Sequence, residues 1–246
     1  MARSLHIMDV LATNGPLCLT DLSGRVDLHP STVHRHLTTL AEYGYVYQSP
    51  ATREYSLGVH LLELGGSVHL AADLRARARR HIADLAHAAR ETVNLVIRDA
   101  HQGMILDRID SDQTLKFSMP IGARVPLHAT AAGKALLAHI PAEDAESVIA
   151  EGLPRLTPNT IVDRAELLRE LESVRARGYA VDNEEHEIGV RCIAAPIWDS
   201  SGRLIASVSV SAPIARVTSQ RVARLAELVR RTALSISCAI GYNADS

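Results

Sequence analysis

Three serines spaced two residues apart, Ser207, Ser209 and Ser211, lie in the run RLIASVSVSA (203–212). On a β-strand that spacing puts three hydroxyls on one face, where they can hold an anion or simply meet water. Gly122 and Ala123 carry so little side chain that their backbone N–H groups are open to the same kind of ligand. A carboxylate inside a mostly apolar cavity needs such donors, because a buried anion without partners is prohibitively costly. Other residues suit other chemistry. Cys192, Asp182, His186 and His128 could form a metal-binding or catalytic set, although His186 falls in the acidic run DNEEHE (182–187), and such runs are usually solvated loops. Ala132-Gly133-Lys134-Ala135 has the Gly-Lys pair of a phosphate-binding loop. It fails that pattern twice, because His128 stands where the first glycine belongs and Ala135 where Ser or Thr belongs. GxSxG, HExxH, CxxC and GxGxxG do not occur. No metal, cofactor or catalytic residue is expected. The rival reading is a metal-binding or enzymatic domain beside a degenerate helix-turn-helix.

Composition narrows the function classes. The chain has 246 residues, 47% hydrophobic and 22% charged, as globular domains do, and the length suits one large or two modest domains. Aromatic residues are 3%, too few for base-stacking platforms or aromatic cages. The net charge is -2, so a strongly basic nucleic-acid coat is excluded, and all the positive side chains except Lys116 and Lys134 are Arg. Cys18, Cys192 and Cys238 are far apart and odd in number, which fits a reducing, cytoplasmic setting. His6 and Asp9 interrupt any apolar leader, and no run is long enough to span a membrane.

The elements that must position these residues can be read from periodicity. Residues 4–14 have helical spacing and stop at Asn14-Gly15-Pro16. A second helix is predicted to start at Thr20 as its N-cap, and a third follows Pro30, with Val33, Leu37, Leu40 and Ala41 on its inner stripe. Gly44 ends it. The runs 45–49 and 53–57, joined by Pro50-Ala51-Thr52, form a hairpin. Three helices and a ribbon describe a winged helix-turn-helix over residues 1–60. Residues 1–60 hold four Arg and five acids, so DNA binding would rest on placement rather than on general attraction. Ser31, Thr32, His34 and Arg35 project from the first turns of the third helix, Thr38 lies further along, Thr20 opens the second helix, and Arg53 follows the wing turn. His36 is expected to pack inward.

Residues 61–91 read as connecting helices, with Arg75, Arg77, Arg79 and Arg80 on a solvated face. Residues 92–246 read as an α+β domain with an antiparallel sheet. Strand-like runs are expected at 93–100, 103–110, 115–119, 190–198 and 203–212, and helices at 130–140, 164–177 and 215–240. Asp163 and Glu166 form a capping box, and Asp199-Ser200-Ser201-Gly202 a hairpin turn.

The segments 125–138 (VPLHATAAGKALLA), 177–196 (RGYAVDNEEHEIGVRCIAAP) and 207–213 (SVSVSAP) resemble the effector domain of the IclR (isocitrate lyase regulator) family of bacterial transcription factors. Ser31-Thr32-Val33-His34-Arg35, followed by LAEYGYV (40–46), resembles that family's winged helix. Three motifs in order across the whole chain make the resemblance specific. It implies an N-terminal winged helix-turn-helix joined by a helix to a GAF-like α+β effector-binding domain, and a homodimer or dimer of dimers on palindromic double-stranded DNA. It also implies a small-molecule effector, a carboxylate or aromatic acid, held at Gly122, Ala123, Asp182, Cys192, Ser209 and Ser211, with Leu115 or Ile121 as apolar wall.

Overall fold

The computed structural model describes residues 2–66 and 69–243 as two compact units, Met1–Ala72 and Asp73–Ser246. Of the expected connecting helices, residues 67 and 68 lie outside the described residues.

In the first unit, α1 (Ala2–Asn14), α2 (Leu19–Val26) and α3 (Pro30–Glu42) enclose a small core of Ile7, Leu11, Leu22, Val33, Leu37 and Leu40. The strands β1 (Val46–Gln48) and β2 (Tyr55–Leu57) pair antiparallel as the wing and bring Val46 and Tyr55 to that core. The α3 helix starts well: Pro30 sits in its first turn, where a missing N–H costs nothing, and His29 Nδ1 accepts the Ser31 N–H. Gly44 turns the chain out at φ +73°, a region that glycine enters without strain. Two local expectations are corrected. Thr20 is not the N-cap of α2, because Leu22 N–H already bonds the Cys18 carbonyl and the helix begins at Leu19. Ala41 is exposed, so the inner stripe of α3 ends at Leu40. The unit continues into α4 (His60–Gly66).

The helix α5 (His69–Ala89), which belongs to the second unit from Asp73 on, is followed by a six-stranded antiparallel sheet in the order β5-β4-β3-β8-β7-β6. Its strands are β3 (Thr92–Asp99), β4 (Gln102–Ile109), β5 (Arg124–Pro126), β6 (Ala180–Asn183), β7 (Val190–Trp198) and β8 (Leu204–Pro213). Between β5 and β6 come α6 (Ala131–Leu137), α7 (Ala142–Ala150) and α8 (Arg164–Arg177), and α9 (Ser219–Ala239) ends the described fold. Both sheet faces are covered. Val93, Leu95, Val208 and Val210 pack on α5 and α9, while Val96, Ile105 and Ala194 pack with α6 and α8 on the other side. The α5 helix, expected as part of a connector, sinks Leu74, Ala78, Ile82 and Leu85 into this core.

The run 115–119, expected as a strand, is a loop. Its groups are satisfied locally: Lys116 and Ser118 bond the Asp110 carboxylate, and the Arg108 guanidinium bonds the Met119 carbonyl. The strands β5 and β6 and the helix α7 were not expected. Asp163 does cap α8 by accepting the Glu166 N–H at 2.8 Å, and Gly178 closes that helix at φ +74°.

Candidate functional site

Two places in the chain concentrate unspent polar groups, one in each unit. On α3, His34, Arg35 and Thr38 are exposed, as are Ser31 at its start, Thr20 in the first turn of α2 and Arg53 in the wing; Thr32 is half-buried. Some hydroxyls are already engaged. Ser31 Oγ meets His29 Nδ1 at 2.8 Å, and Thr38 Oγ1 donates to the His34 carbonyl at 3.0 Å. The Arg35 carbonyl accepts from Thr39 Oγ1 at 3.2 Å, but its guanidinium has no ion pair or hydrogen bond among the described residues and is available to a phosphate or a base edge. Arg53 holds φ +63°, and its N–H and carbonyl close the wing turn on Ser49 and Gln48. His36 is half-buried and joins α3 to α1 through Ser4 Oγ at 2.9 Å, as its inward placement requires.

The second place is a cavity of about 40 Å³ between the sheet and α6. The alternation of β8 explains its floor. Ala206, Val208, Val210 and Ala212 face α5 and α9, which turns Ser207, Ser209 and Ser211 toward α6, all of them buried. Ser207 donates to the Ala132 carbonyl at 3.1 Å and fastens α6 to the strand, while Ser209 and Ser211 border the cavity. Asp182 and Cys192 reach it from β6 and β7, and Asn94 from β3, where it pairs with Ser209 across the strands. Ser211 Oγ accepts from Asn94 Nδ2 and from the Cys192 thiol, each at 3.2 Å. With both its lone pairs occupied, its own O–H is free to donate to a guest.

Asp182 is 2% exposed, and burial pushes its carboxyl up to about 7, against the backbone N–H groups of Glu185 and His186 that bond its Oδ1. Behind it, Lys134 and Glu185 form a buried ion pair at 2.6 Å. The acidic run 182–187 is therefore not a solvated loop. Thr157 and Thr160 donate to the carbonyls of Glu184 and Glu185, at 2.6 Å each, and hold the turn inside.

The remaining expectations divide. Gly122 and Ala123 lie apart from the cavity lining, and their N–H groups are spent on the carbonyls of Ile105 (2.8 Å) and Pro120 (3.1 Å). Leu115 and Ile121 are exposed, and the same loop supplies Phe117 and Met119 to the cavity instead. Sequence reasoning missed Asn94, Thr130, Ala131 and Ala132, which also border it. The signal was the Ala-Gly-Lys segment, set aside because it fails as a phosphate loop. The first-turn amides of Ala131 and Ala132 have no acceptor within α6. Gly133 N–H goes to Thr130 Oγ1 and Lys134 N–H to the Thr130 carbonyl.

The catalytic and metal readings find no support in this geometry. Burial pushes the Cys192 thiol above the ordinary range, which keeps it protonated and a poor nucleophile. Burial pushes His186 and His128 down, and His128 Nε2 is committed to the Pro154 carbonyl. Among the described residues no three His, Cys, Asp or Glu side chains group as a metal would require. No helix among them is long and apolar enough to cross a membrane.

A helix-turn-helix with a wing, followed by a sheet domain whose cavity is bordered by Ser209, Ser211, Cys192 and Asp182, is the architecture of a class of transcriptional regulator. Comparison with known proteins gives the particular family. Residues 67–238 match the bacterial transcriptional regulator IclR C-terminal domain, and residues 1–50 match the IclR helix-turn-helix domain. The chain belongs to the IclR family. It is 37% identical to the HTH-type transcriptional regulator BhcR of Paracoccus denitrificans over 99% of this chain and 88% of that one. It is 35% identical to the HTH-type transcriptional repressor AllR of Escherichia coli, over 99% of this chain and 91% of that one. Among solved structures, IclR of Thermotoga maritima superposes with a TM-score of 0.82 at 31% identity, covering 98% of each chain. An IclR homologue of Microbacterium hydrocarbonoxydans complexed with 4-hydroxybenzoate superposes with a TM-score of 0.85 at 28% identity, covering 97% of this chain and 96% of that one.

Proposed function

We propose that a small carboxylate held in the cavity between the sheet and α6 sets the affinity of this regulator for its operator. The observation that carries the reading is the meeting of Ser209, Ser211, Cys192 and Asp182 from three strands around one buried space, in a chain whose first unit offers an unpaired Arg35 on α3. Ser209 and Ser211 donate to the carboxylate, and Asp182 in its protonated form completes the polar wall. Gly122 and Ala123 join only if the carbonyls of Ile105 and Pro120 release their N–H groups. A water needs roughly 10–15 Å³ of such space, so about 40 Å³ has room for a small carboxylate.

At the DNA end, Arg35 reads a base edge while Ser31, Thr32, His34, Thr38, Thr20 and Arg53 fix the register on phosphates. One module with a formal charge of -1 over residues 1–60 binds weakly alone. Two joined in a homodimer gain through effective concentration and call for an inverted repeat with half-sites whole helical turns apart. A ligand that favours one arrangement of the two winged helices then shifts operator affinity by its differential binding energy.

Footprinting on the DNA upstream of the protein's own gene, repeated across a panel of two- to four-carbon acids, tests the reading. A two-fold symmetric footprint that weakens or strengthens with one of these acids is expected. Unsymmetrical protection, or indifference to every acid, would refute it.

A further inference from the structure

A second space in the second unit, a groove of about 520 Å³, runs between β7 and the C-terminal half of α9. Ligand sites commonly measure roughly 300–1,000 Å³, so it has the size of a site rather than of a packing flaw. Ala195 and Ala233 on its floor belong to the core on the α9 side of the sheet, whereas Ser209 and Ser211 face α6, so the two spaces are separate. Its walls carry the chain's single tryptophan, Trp198, together with His139, Leu234, Tyr242 and Arg230. An indole is usually driven well into a core, yet Trp198 is only half-buried, and Leu234 in the same groove is 47% exposed. The groove does not suit an added strand. The pairing of β6 with β7 ends at Ala194, but beyond it Pro196 has no N–H and the Trp198 N–H is bonded to Ser237 Oγ at 2.9 Å.

The polar groups of the groove are mostly donors that lack acceptors. Arg230 lies across the backbone of Gly178, where a Cβ would stand 3.2 Å from its Nε, and its guanidinium has no ion pair or hydrogen bond among the described residues. The Trp198 indole N–H and the Tyr242 hydroxyl are likewise uncommitted among them. Glu227, the one acid of the lining, is paired with Arg231. His139 donates from Nδ1 to the Ala135 carbonyl at 2.9 Å, and burial pushes its pKa down, so the ring is neutral. That ring meets Trp198 edge to face, with 5.1 Å between centroids. One positive charge is therefore left over beside an apolar wall with an indole in it.

We propose that this groove is a second ligand site and that its ligand is a planar aromatic monocarboxylate. The Arg230 guanidinium takes the carboxylate as a forked pair, and the ring lies against Trp198 and Leu234. A single unpaired guanidinium matches a single negative charge, which favours a carboxylate over a phosphate dianion. The site uses none of the residues of the serine cavity and stands apart from the switch proposed there.

The test uses the full-length wild-type protein with benzoate as the probe, read through tryptophan emission, which comes from Trp198 alone. Benzoate is expected to change that emission saturably. Benzamide has the ring without the charge and acetate the charge without the ring, and each should bind at least about tenfold more weakly. Arg230→Gln removes the charge from an exposed position, and it should bring benzoate down to the level of benzamide at an unchanged melting temperature. Ser209→Ala with Ser211→Ala should keep the full response, because those side chains lie in the other space. No saturable change with benzoate, or equal binding of benzoate and benzamide, would overturn the proposal. Undiminished affinity in Arg230→Gln would overturn it too, and so would loss of the response in the serine variant, which would move the site to the serine cavity. If emission instead follows protein concentration, in step with self-association in sedimentation, and benzoate has no effect, the groove belongs to a second copy of this chain and the proposal fails.

Discussion

Asp182 and Cys192 are direct cross-strand partners on β6 and β7, and both face the same buried cavity. Burial pushes the carboxyl up to about 7, and the nearby Glu185 carboxylate adds to that rise while the Glu185 backbone N–H and Lys134 oppose it. A carboxyl raised above its unfolded value contributes stability that is complete at acid pH and is lost as pH rises through about 7. Asp182→Asn keeps an oxygen to accept the Glu185 and His186 N–H groups but removes the charge. Urea unfolding should find the variant more stable than wild type by at least about 1 kcal/mol at pH 8, with the difference shrinking toward pH 5. A carboxylate effector should also bind wild type more tightly below pH 7 than above it, and the variant should lose that slope. A constant difference between the two proteins across this range would contradict the assignment.

The ion pair of Lys134 and Glu185 makes a second prediction. Removing one member of a buried pair strands the other, so Lys134→Met should cost about 3–5 kcal/mol, measured by denaturant titration. The double change Lys134→Met with Glu185→Gln should recover most of that loss. Glu170, also near Lys134 at 3.6 Å, keeps Arg177 at 2.7 Å and is not stranded.

Arg35→Ala should abolish specific operator binding without disturbing the fold. The side chain is exposed and truncation opens no core, whereas a lost base contact costs about 1–3 kcal/mol. Gel shifts on the footprinted site, with the melting temperature as control, decide it. Undiminished affinity would move the reading helix elsewhere.

Ser209→Ala combined with Ser211→Ala should leave operator affinity near wild type and remove the response to effector. Each lost bond to a charged group costs roughly 1.5–3 kcal/mol, so effector affinity should fall about a hundredfold or more in calorimetry. Ser207→Ala is the contrast. It loses the bond to the Ala132 carbonyl and should lower the melting temperature more than it lowers effector affinity.

The cysteines should react in the order of their exposure. Cys238 is exposed, Cys18 is intermediate, and Cys192 is buried and bonded to Ser211. An aromatic disulfide reagent at pH 8 should label Cys238 first and leave Cys192 unmodified until the protein is unfolded. Early loss of the Cys192 thiol would mean that the cavity opens to solvent far more readily than its burial implies.

What could be read before the fold was known followed from local rules. The capping box at Asp163, the proline-led start of α3 and the alternation of β7 and β8 each depend on neighbours within a few residues. The loop from 110 to 123 could not be read so. LKFSM alternates like a strand, but whether it pairs depends on partners elsewhere in the chain, and Asp110 takes its side chains first. The cavity was half legible for the same reason. Period two placed Ser209 and Ser211 together, but only strand order puts Asn94 beside them and turns the serine face toward a helix rather than water.

Gly133 shows how a position can look chemical and be architectural. A Cβ there would stand 2.5 Å from the Leu127 Cα and 2.6 Å from the Pro126 carbonyl oxygen, both backbone atoms that cannot step aside. Any side chain must push α6 off the strand end and spread the space that Asn94, Ser209 and Ser211 share. In a saturation screen scored by reporter expression, Gly133 would thus rank with the ligand contacts although it reaches no ligand. Scoring the same library for protein abundance would pull the two groups apart, with Gly133 variants depleted from the cell and the serine variants still present but unresponsive.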